Sequence, residues 1–207
     1  VCILGTGAFG TALAIALSDI HDIHLWGRNA NTVAEVEAQR ENSKLPGAVL
    51  GPAITVTSDA KAAIQGADFI LSAIPLQSTH TALADLVGYF EGQPLIGCSK
   101  GVDLTTGMGG YSILRASYPD GPVGLLTGPS FAADIAQGLP TALTLAADAG
   151  QEVSSWQSEL SVGTLRLYVS HDPVGAELGG ALKNVIAIAC GATMGAGLGE
   201  SARAALI

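Results

Sequence analysis

Three clusters in this sequence hold residue types that could do chemistry. The first is Gly5-Thr6-Gly7-Ala8-Phe9-Gly10, a G-x-G-x-x-G pattern between an apolar run at residues 1–4 and an Ala- and Leu-rich stretch. In that context the first glycine permits a tight turn, and the second lets backbone approach a pyrophosphate. The third lets helix and strand pack closely. The start of the following helix offers free N–H groups and a partial positive charge to an anion. The second cluster is a pair of lysines in apolar company, Lys100 and Lys183. Lys100 follows the apolar run 94–98, so it falls at the carboxyl end of an expected strand, where open α/β sheets form their ligand crevice. Lys183 lies in the almost uncharged segment 178–190, with Asn184 beside it as a neutral donor and acceptor. Apolar neighbours at every helical spacing predict a buried ammonium with a lowered pKa, able to exchange a proton near neutral pH, with a snorkelling surface lysine as the alternative. The remaining lysines, Lys44 and Lys61, fall in polar loop or helix surroundings and carry no expected role.

The third cluster is Thr127-Gly128-Pro129-Ser130-Phe131-Ala132. A hydroxyl and a proline ahead of a helix can hold an anion at the strand ends, or simply cap the helix. Other chemistries lack their residues. His21, His24, His80 and His171 show no metal-ligand spacing, and no serine nucleophile elbow is present. Cys2, Cys98 and Cys190 are odd in number and scattered, which argues against a disulfide framework and fits a reducing compartment. Trp26 and Trp156 read as packing residues.

These clusters need elements to position them, and strand and helix signals alternate from the start. Strands are expected at residues 1–4, 23–26, 54–57, 69–74, 94–98, 123–127 and 141–147, with further pairing at 165–169. Helices are expected at 11–17, 32–40, 79–90 and up to Gln65, the last capped by Ser58 or Asp59, with a polar loop at 45–52. From about Asp172 the β pattern stops and residues 174–207 read as helix, interrupted by glycines at 191–199. The expected fold is α/β: a Rossmann-type, mostly parallel sheet with helices on both faces, then the beginning of an all-helical second domain. The boundary falls near residue 171, giving a dinucleotide-binding domain at 1–171 and the start of a helical substrate domain at 172–207.

The second strand ends at Trp26-Gly27-Arg28 with no acid close behind it. A unit specific for NAD usually places Asp or Glu there for the ribose 2′-hydroxyl, whereas a guanidinium pairs with a 2′-phosphate. NADP is therefore favoured over NAD, with Arg28 as a solvated loop residue the alternative.

Composition narrows the class. Hydrophobic residues at 48 % against 13 % charged exclude a disordered tail, a collagen-like fibre and a coiled coil. Nine basic against eighteen acidic residues leave a net charge of -9, so no basic footprint for nucleic acid exists. The uncharged run 1–18 lacks a positive leader, and Gly5, Gly7 and Gly10 would weaken any helix through it, so a signal peptide or membrane span is not expected. A soluble, cytoplasmic protein is expected. Val1 opens inside a strand pattern without Met, and residues 201–207 read as helix without a stop signal, so both ends are expected to be cut.

Taken together, Gly5-Thr-Gly-Ala-Phe-Gly-Thr-Ala12, Leu25-Trp26-Gly27-Arg28, Ser99-Lys100-Gly101, Gly128-Pro129-Ser130-Phe131-Ala132 and Glu177-Leu-Gly-Gly-Ala-Leu-Lys183-Asn184-Val185 resemble the bacterial NAD(P)-dependent glycerol-3-phosphate dehydrogenases over essentially the whole chain. The first motif is common to many dehydrogenases; the last two are more specific. The resemblance implies Lys183 as proton donor and acceptor at the substrate's C2 oxygen and Lys100 as a residue touching substrate and cofactor. Gly128, Ser130 and Asn184 would contact substrate. Gly5, Gly7, Ala8, Phe9, Gly10, Arg28 and Ala132 would contact NADP or NAD. The implied reaction is hydride transfer between NAD(P)H and dihydroxyacetone phosphate, giving sn-glycerol 3-phosphate for glycerophospholipid synthesis. The family's further substrate residues, an Asp and a Ser-Arg-Asn stretch, fall downstream of Ile207, so the chain alone is expected to turn over poorly. The implied partners are a phosphorylated triose and a second copy in a homodimer, with no nucleic acid and no membrane span. A related dehydrogenase of hydroxy or keto acids and a non-catalytic nucleotide-binding protein are the competing readings.

Overall fold

A computed structural model describes all residues 1–207. Short leucine- and β-branched-rich runs form strands because a parallel sheet covered on both faces shields its strands from water. In chain order the elements are β1 (Cys2–Leu4), α1 (Ala8–Leu17), β2 (Ile23–Trp26), α2 (Ala30–Gln39), β3 (Glu41–Asn42), β4 (Leu45–Val49), β5 (Ile54–Thr57), α3 (Ala60–Ile64), β6 (Ile70–Ser72), α4 (Leu76–Leu86) and a 3₁₀ turn at Val87–Tyr89. There follow β7 (Leu95–Gly97), α5 (Gly110–Ser117), β8 (Val123–Thr127), α6 (Ala132–Ala136), β9 (Thr141–Ala147), α7 (Val153–Leu160), β10 (Leu165–Ser170), α8 (Pro173–Gly195) and α9 (Gly199–Ala204).

Eight strands form one sheet in the order β10-β9-β8-β7-β6-β1-β2-β5. Every neighbouring pair is parallel except β8 and β9, so β9 and β10 run against the rest. The chain winds outward from β1 to β5, then crosses back to β6 on the other flank of β1. That reversal opens a crevice at the carboxyl ends of β1 and β6, the place where doubly wound sheets bind ligands. The period of two along β1 divides the core. Ile3 packs with Leu13 and Leu17 on one face, while Cys2 and Leu4 pack with Leu83, Leu95 and Leu114 on the other.

Local chemistry accounts for several boundaries. Asn29 caps α2 by accepting from the Thr32 N–H, and Asp59 caps α3 by accepting from Ala62. Asp172 caps α8 through the Gly175 N–H at 2.8 Å, with Pro173 in the first turn.

Three regions differ from the sequence reading. Residues 45–52, expected as a polar loop because of Pro46 and Gly47, contain β4, which pairs antiparallel with β3. A buried Asn42 anchors this hairpin, and Leu45 and Leu50 turn inward with it. Helices α5 and α7 were not anticipated, since Gly-, Ser- and Gln-rich composition hides them. Val153, Trp156 and Leu160 nevertheless recur at helical spacing and are all buried. Helix α8 runs straight through Gly191, and the break falls at residues 196–198, beside Gly197 and Gly199 with their positive φ.

Pro173 is the one buried residue of α8; Leu182, Val185 and Ile188 lie on its exposed surface. By length and composition this helix is long and apolar enough to cross a membrane.

Candidate active site

The glycine turn assigns a different steric duty to each glycine. Gly5 has φ +121°, and a Cβ on it would lie 2.9 Å from the Ala73 carbonyl oxygen. A Cβ on Gly10 would overlap the Gly5 carbonyl oxygen, so α1 can approach β1 this closely only with glycine there. Gly7 is the opposite case, since a Cβ on it would meet nothing within 4 Å. Its backbone faces open space at the N-terminus of α1, which no side chain caps. The result is a cradle packed from beneath and open from above, with uncapped N–H groups at its base, which fits a pyrophosphate.

From the cradle a cavity of about 280 Å³ extends along the end of β2, past Gly27, Arg28 and Asn29. Lys44 lines the same cavity. Sequence reasoning missed it, because its polar neighbours gave no sign that the hairpin would fold back onto the glycine turn. The link is Asn42. Its Nδ2 donates to the Thr6 carbonyl at 3.1 Å and to Thr11 Oγ1 at 2.7 Å, while its Oδ1 accepts from the Lys44 N–H at 3.0 Å. Two exposed cations and no carboxylate therefore face this space. That donor set fits a dinucleotide carrying an additional phosphate at the adenosine end.

Lys100 lies on the loop after β7. Its Nζ donates to the Gly128 carbonyl at 2.7 Å and stands 5.7 Å from the ring centre of Phe9, in the glycine turn. Burial pushes its ammonium below the ordinary lysine value, and the nearby charge of Lys183 pushes it further. Two residues earlier, burial holds the Cys98 thiol up at about 12, which rules it out as a thiolate nucleophile at neutral pH.

Lys183 stands 5.9 Å from the ring centre of Phe131. With Thr127, Gly128, Gly180 and Asp172 it lines a cavity of about 460 Å³. The burial expected of it is not what the structure shows. Lys183 is half-exposed, because its apolar flanks Leu182, Val185 and Ile186 themselves face outward instead of covering it. Lys100 is itself exposed as a residue, although partial burial of its ammonium end lowers that group. Asn184 is exposed and makes no side-chain hydrogen bond. Ser130 holds a buried hydroxyl without a partner, as does Thr127, which the sequence reading treated only as part of a motif. Ala132 opens α6 and, like Ala8 and Phe9, packs against the small core of Ala12, Leu45 and Ile135, which joins the third cluster to the glycine turn. Phe9, Lys100, Gly128, Phe131 and Lys183 are thus brought to one mouth, with Arg28 and Lys44 at the far end of the adjoining cradle.

A switch-point crevice, a glycine cradle at a helix start and a cationic rim define a dinucleotide-binding protein of the Rossmann class. Residues 1–153 match the family model for the NAD-dependent glycerol-3-phosphate dehydrogenase N-terminus, and residues 172–207 match that for the C-terminus. The chain belongs to the NAD-dependent glycerol-3-phosphate dehydrogenase family. Over its whole length it is 51 % identical to a glycerol-3-phosphate dehydrogenase (NAD(P)+) of Ruegeria sp. and 52 % identical to that of Roseobacter denitrificans. It spans 65 % of the length of each of these relatives. The glycerol-3-phosphate dehydrogenase structure from Coxiella burnetii superposes with a TM-score of 0.86 at 30 % identity, covering 99 % of this chain and 64 % of that one. The Saccharomyces cerevisiae glycerol-3-phosphate dehydrogenase, at 22 % identity and a TM-score of 0.84, shares the fold over 99 % of this chain and 65 % of its own.

Proposed function

We propose that this chain provides the dinucleotide-binding domain, residues 1–171, and the opening of a helical substrate domain, residues 172–207, of an enzyme interconverting dihydroxyacetone phosphate and sn-glycerol 3-phosphate. When bound, the nicotinamide supplies or accepts the hydride. Gly5, Gly7, Ala8 and Gly10 would hold the pyrophosphate, while Phe9 and Ala132 would wall the cofactor beside Lys100. Arg28 and Lys44 together favour NADPH over NADH. In reduction the ketone carbon gains hydride and its oxygen gains a proton. Lys183 would stabilise the developing alkoxide and hand over that proton, its neutral amine then recovering a proton from water. Lys100, Gly128, Ser130 and Asn184 would hold the substrate. The product would supply glycerophospholipid synthesis in the cytoplasm, with the enzyme working as a homodimer.

The observation that carries this reading is the meeting of two lysines at one mouth, Lys100 beside Phe9 and Lys183 beside Phe131, with no carboxylate paired to either. Unpaired ammonium groups in a partly buried site favour an anionic substrate over a neutral one. The test compares full-length protein with its Lys183→Ala variant, assaying NADPH oxidation with dihydroxyacetone phosphate and with small keto acids. The expected result is turnover of the phosphorylated triose, lost in the variant with nucleotide binding kept. Preference for a keto acid, or unchanged turnover without Lys183, would overturn the reading.

A further inference from the structure

Helix α5 begins at Gly109-Gly110, and neither residue can cap it with a side chain. The cap comes from elsewhere in the chain. Glu177, on α8, accepts the Tyr111 N–H on Oε1 at 2.6 Å, across 66 residues of sequence. Tyr111 is the second residue of α5, so the carboxylate occupies the place that an ordinary N-cap oxygen would take, at the positive end of the helix. Gly109 makes room for it, since a Cβ there would overlap the Glu177 carboxylate. Tyr111 is held at its other end as well, its hydroxyl donating to Asp148 Oδ2 at 2.6 Å.

The position of this bond in the fold gives it a consequence. The loop bearing Lys100 leaves β7 and ends at the start of α5, while α8 carries both Glu177 and Lys183. Beyond Asp172, α8 is tied to the sheet domain by Glu177 and by the close approach of Gly180 to Thr127, where a Cβ would meet Oγ1. Past that point the helix surface is largely exposed.

We propose that Glu177 is a positioning residue: by capping α5 it holds α8 so that Lys183 faces Lys100 across the site. The proposal rests on the functional reading above for its effect on turnover, and on geometry alone for its effect on the lysines. Burial raises the Glu177 carboxyl above its usual range, and the Tyr111 N–H pulls it back. An acceptor at this position is therefore what the fold requires, and an amide oxygen can supply it.

Glu177→Ala, Glu177→Gln and Gly109→Ala in the full-length protein test the idea. Three quantities are read: the yield of Lys100–Lys183 cross-links formed by a short bis-active ester, which acylates each amine and releases its leaving alcohol, the exchange rate of the Tyr111 amide, and kcat with dihydroxyacetone phosphate. Glu177→Ala is expected to speed Tyr111 exchange and lower the cross-link yield. Its kcat should fall by about tenfold to a hundredfold while KM for NADPH changes by less than about twofold, as displacement of a group that acts on the ketone oxygen and not on the cofactor's phosphates would produce. Glu177→Gln should restore most of all three, and Gly109→Ala, which expels the carboxylate from the other side, should copy the Ala variant. Wild-type cross-link yield in Glu177→Ala, or equal loss in the Gln and Ala variants, would overturn the proposal. A wild type that cross-links these lysines without reducing dihydroxyacetone phosphate would sink the functional reading instead, and the cross-link yields of the variants would then decide the role of Glu177.

Discussion

Lys100 Nζ and the Gly128 carbonyl oxygen lie 2.7 Å apart, a bond between the loop after β7 and the loop after β8. The same carbonyl accepts from the Ser130 N–H at 3.1 Å, so one oxygen orders both loops. Gly128 is pressed against β9: a Cβ on it would stand 2.9 Å from Leu143 Cδ2 and 3.1 Å from the Ala142 carbonyl. The ammonium is therefore aimed by a backbone dipole and not by a carboxylate. Its formal charge remains available to an incoming anion.

The titration of Lys100 should depend on Lys183. Burial is the larger cause of its lowered pKa and Lys183 the smaller, so Lys183→Met should move Lys100 upward without returning it to the ordinary value. The linkage has a definite sign. Because the folded value lies below the unfolded one, the unfolded chain binds more protons between the two. The Lys100 contribution to stability therefore rises with pH across that window. In Lys183→Met the window narrows and the rise shrinks. An NMR titration of the Lys100 ε-methylene in both proteins checks this, and an unmoved midpoint would show that the two charges do not interact.

Nucleotide preference should follow from Arg28 and Lys44. Lys44→Glu is expected to weaken binding of 2′-phospho-AMP by about tenfold or more, the equivalent of losing one charge-assisted contact. Binding of AMP, which lacks the phosphate, should barely change. Calorimetry with the two nucleotides separates the effects. Equal losses for both would mean that Lys44 shapes the cavity without reading the phosphate.

Much of this site was legible before the fold was known, for physical reasons that differ from one residue to the next. Gly5, Gly7 and Gly10 could be read because their spacing is dictated by local backbone geometry, which the sequence states outright. The strands at 1–4, 94–98 and 123–127 were legible as apolar runs of the right length, and they delivered Lys100 and Gly128 to one edge of the sheet. Lys44 and Glu177 were not legible. Each reaches its place through a long-range contact, made by Asn42 to Thr6 in one case and by the Tyr111 N–H in the other, that no local pattern encodes. Lys183 shows a third kind of failure. Its sequence neighbours are apolar, but an apolar sequence neighbour buries a residue only if something covers both, and in this chain those neighbours are exposed.

Asn42 should matter more to stability than a polar residue in a two-residue strand suggests. It is fully buried and uses both ends of its amide, donating to Thr6 in the glycine turn and to Thr11 in α1 and accepting from the hairpin. Asn42→Ala leaves the Thr6 carbonyl, Thr11 Oγ1 and the Lys44 N–H without their partner, which should cost about 2–3 kcal/mol. Urea unfolding measures the loss. A change below about 0.5 kcal/mol would mean that water replaces the side chain without penalty.

The two glycines flanking Ala8 and Phe9 offer the sharpest separation of folding from binding. At Gly10 a methyl group would overlap the Gly5 carbonyl, so Gly10→Ala must push α1 away from β1. Such overpacking against backbone should cost about 3 kcal/mol or more, visible as a lowered Tm even without nucleotide. Gly7 is free of that constraint. Its φ of -80° suits any residue and a methyl group would point into open space. Gly7→Ala should therefore keep the fold within about 1 kcal/mol, the scale of a changed N-cap residue. The open space is nevertheless where a pyrophosphate would approach the backbone, so the same variant should bind NADPH much more weakly. Chemical unfolding and nucleotide titration of both variants decide the matter. A Gly7→Ala protein that folds normally and binds NADPH as tightly as the wild type would show that the cradle lies elsewhere.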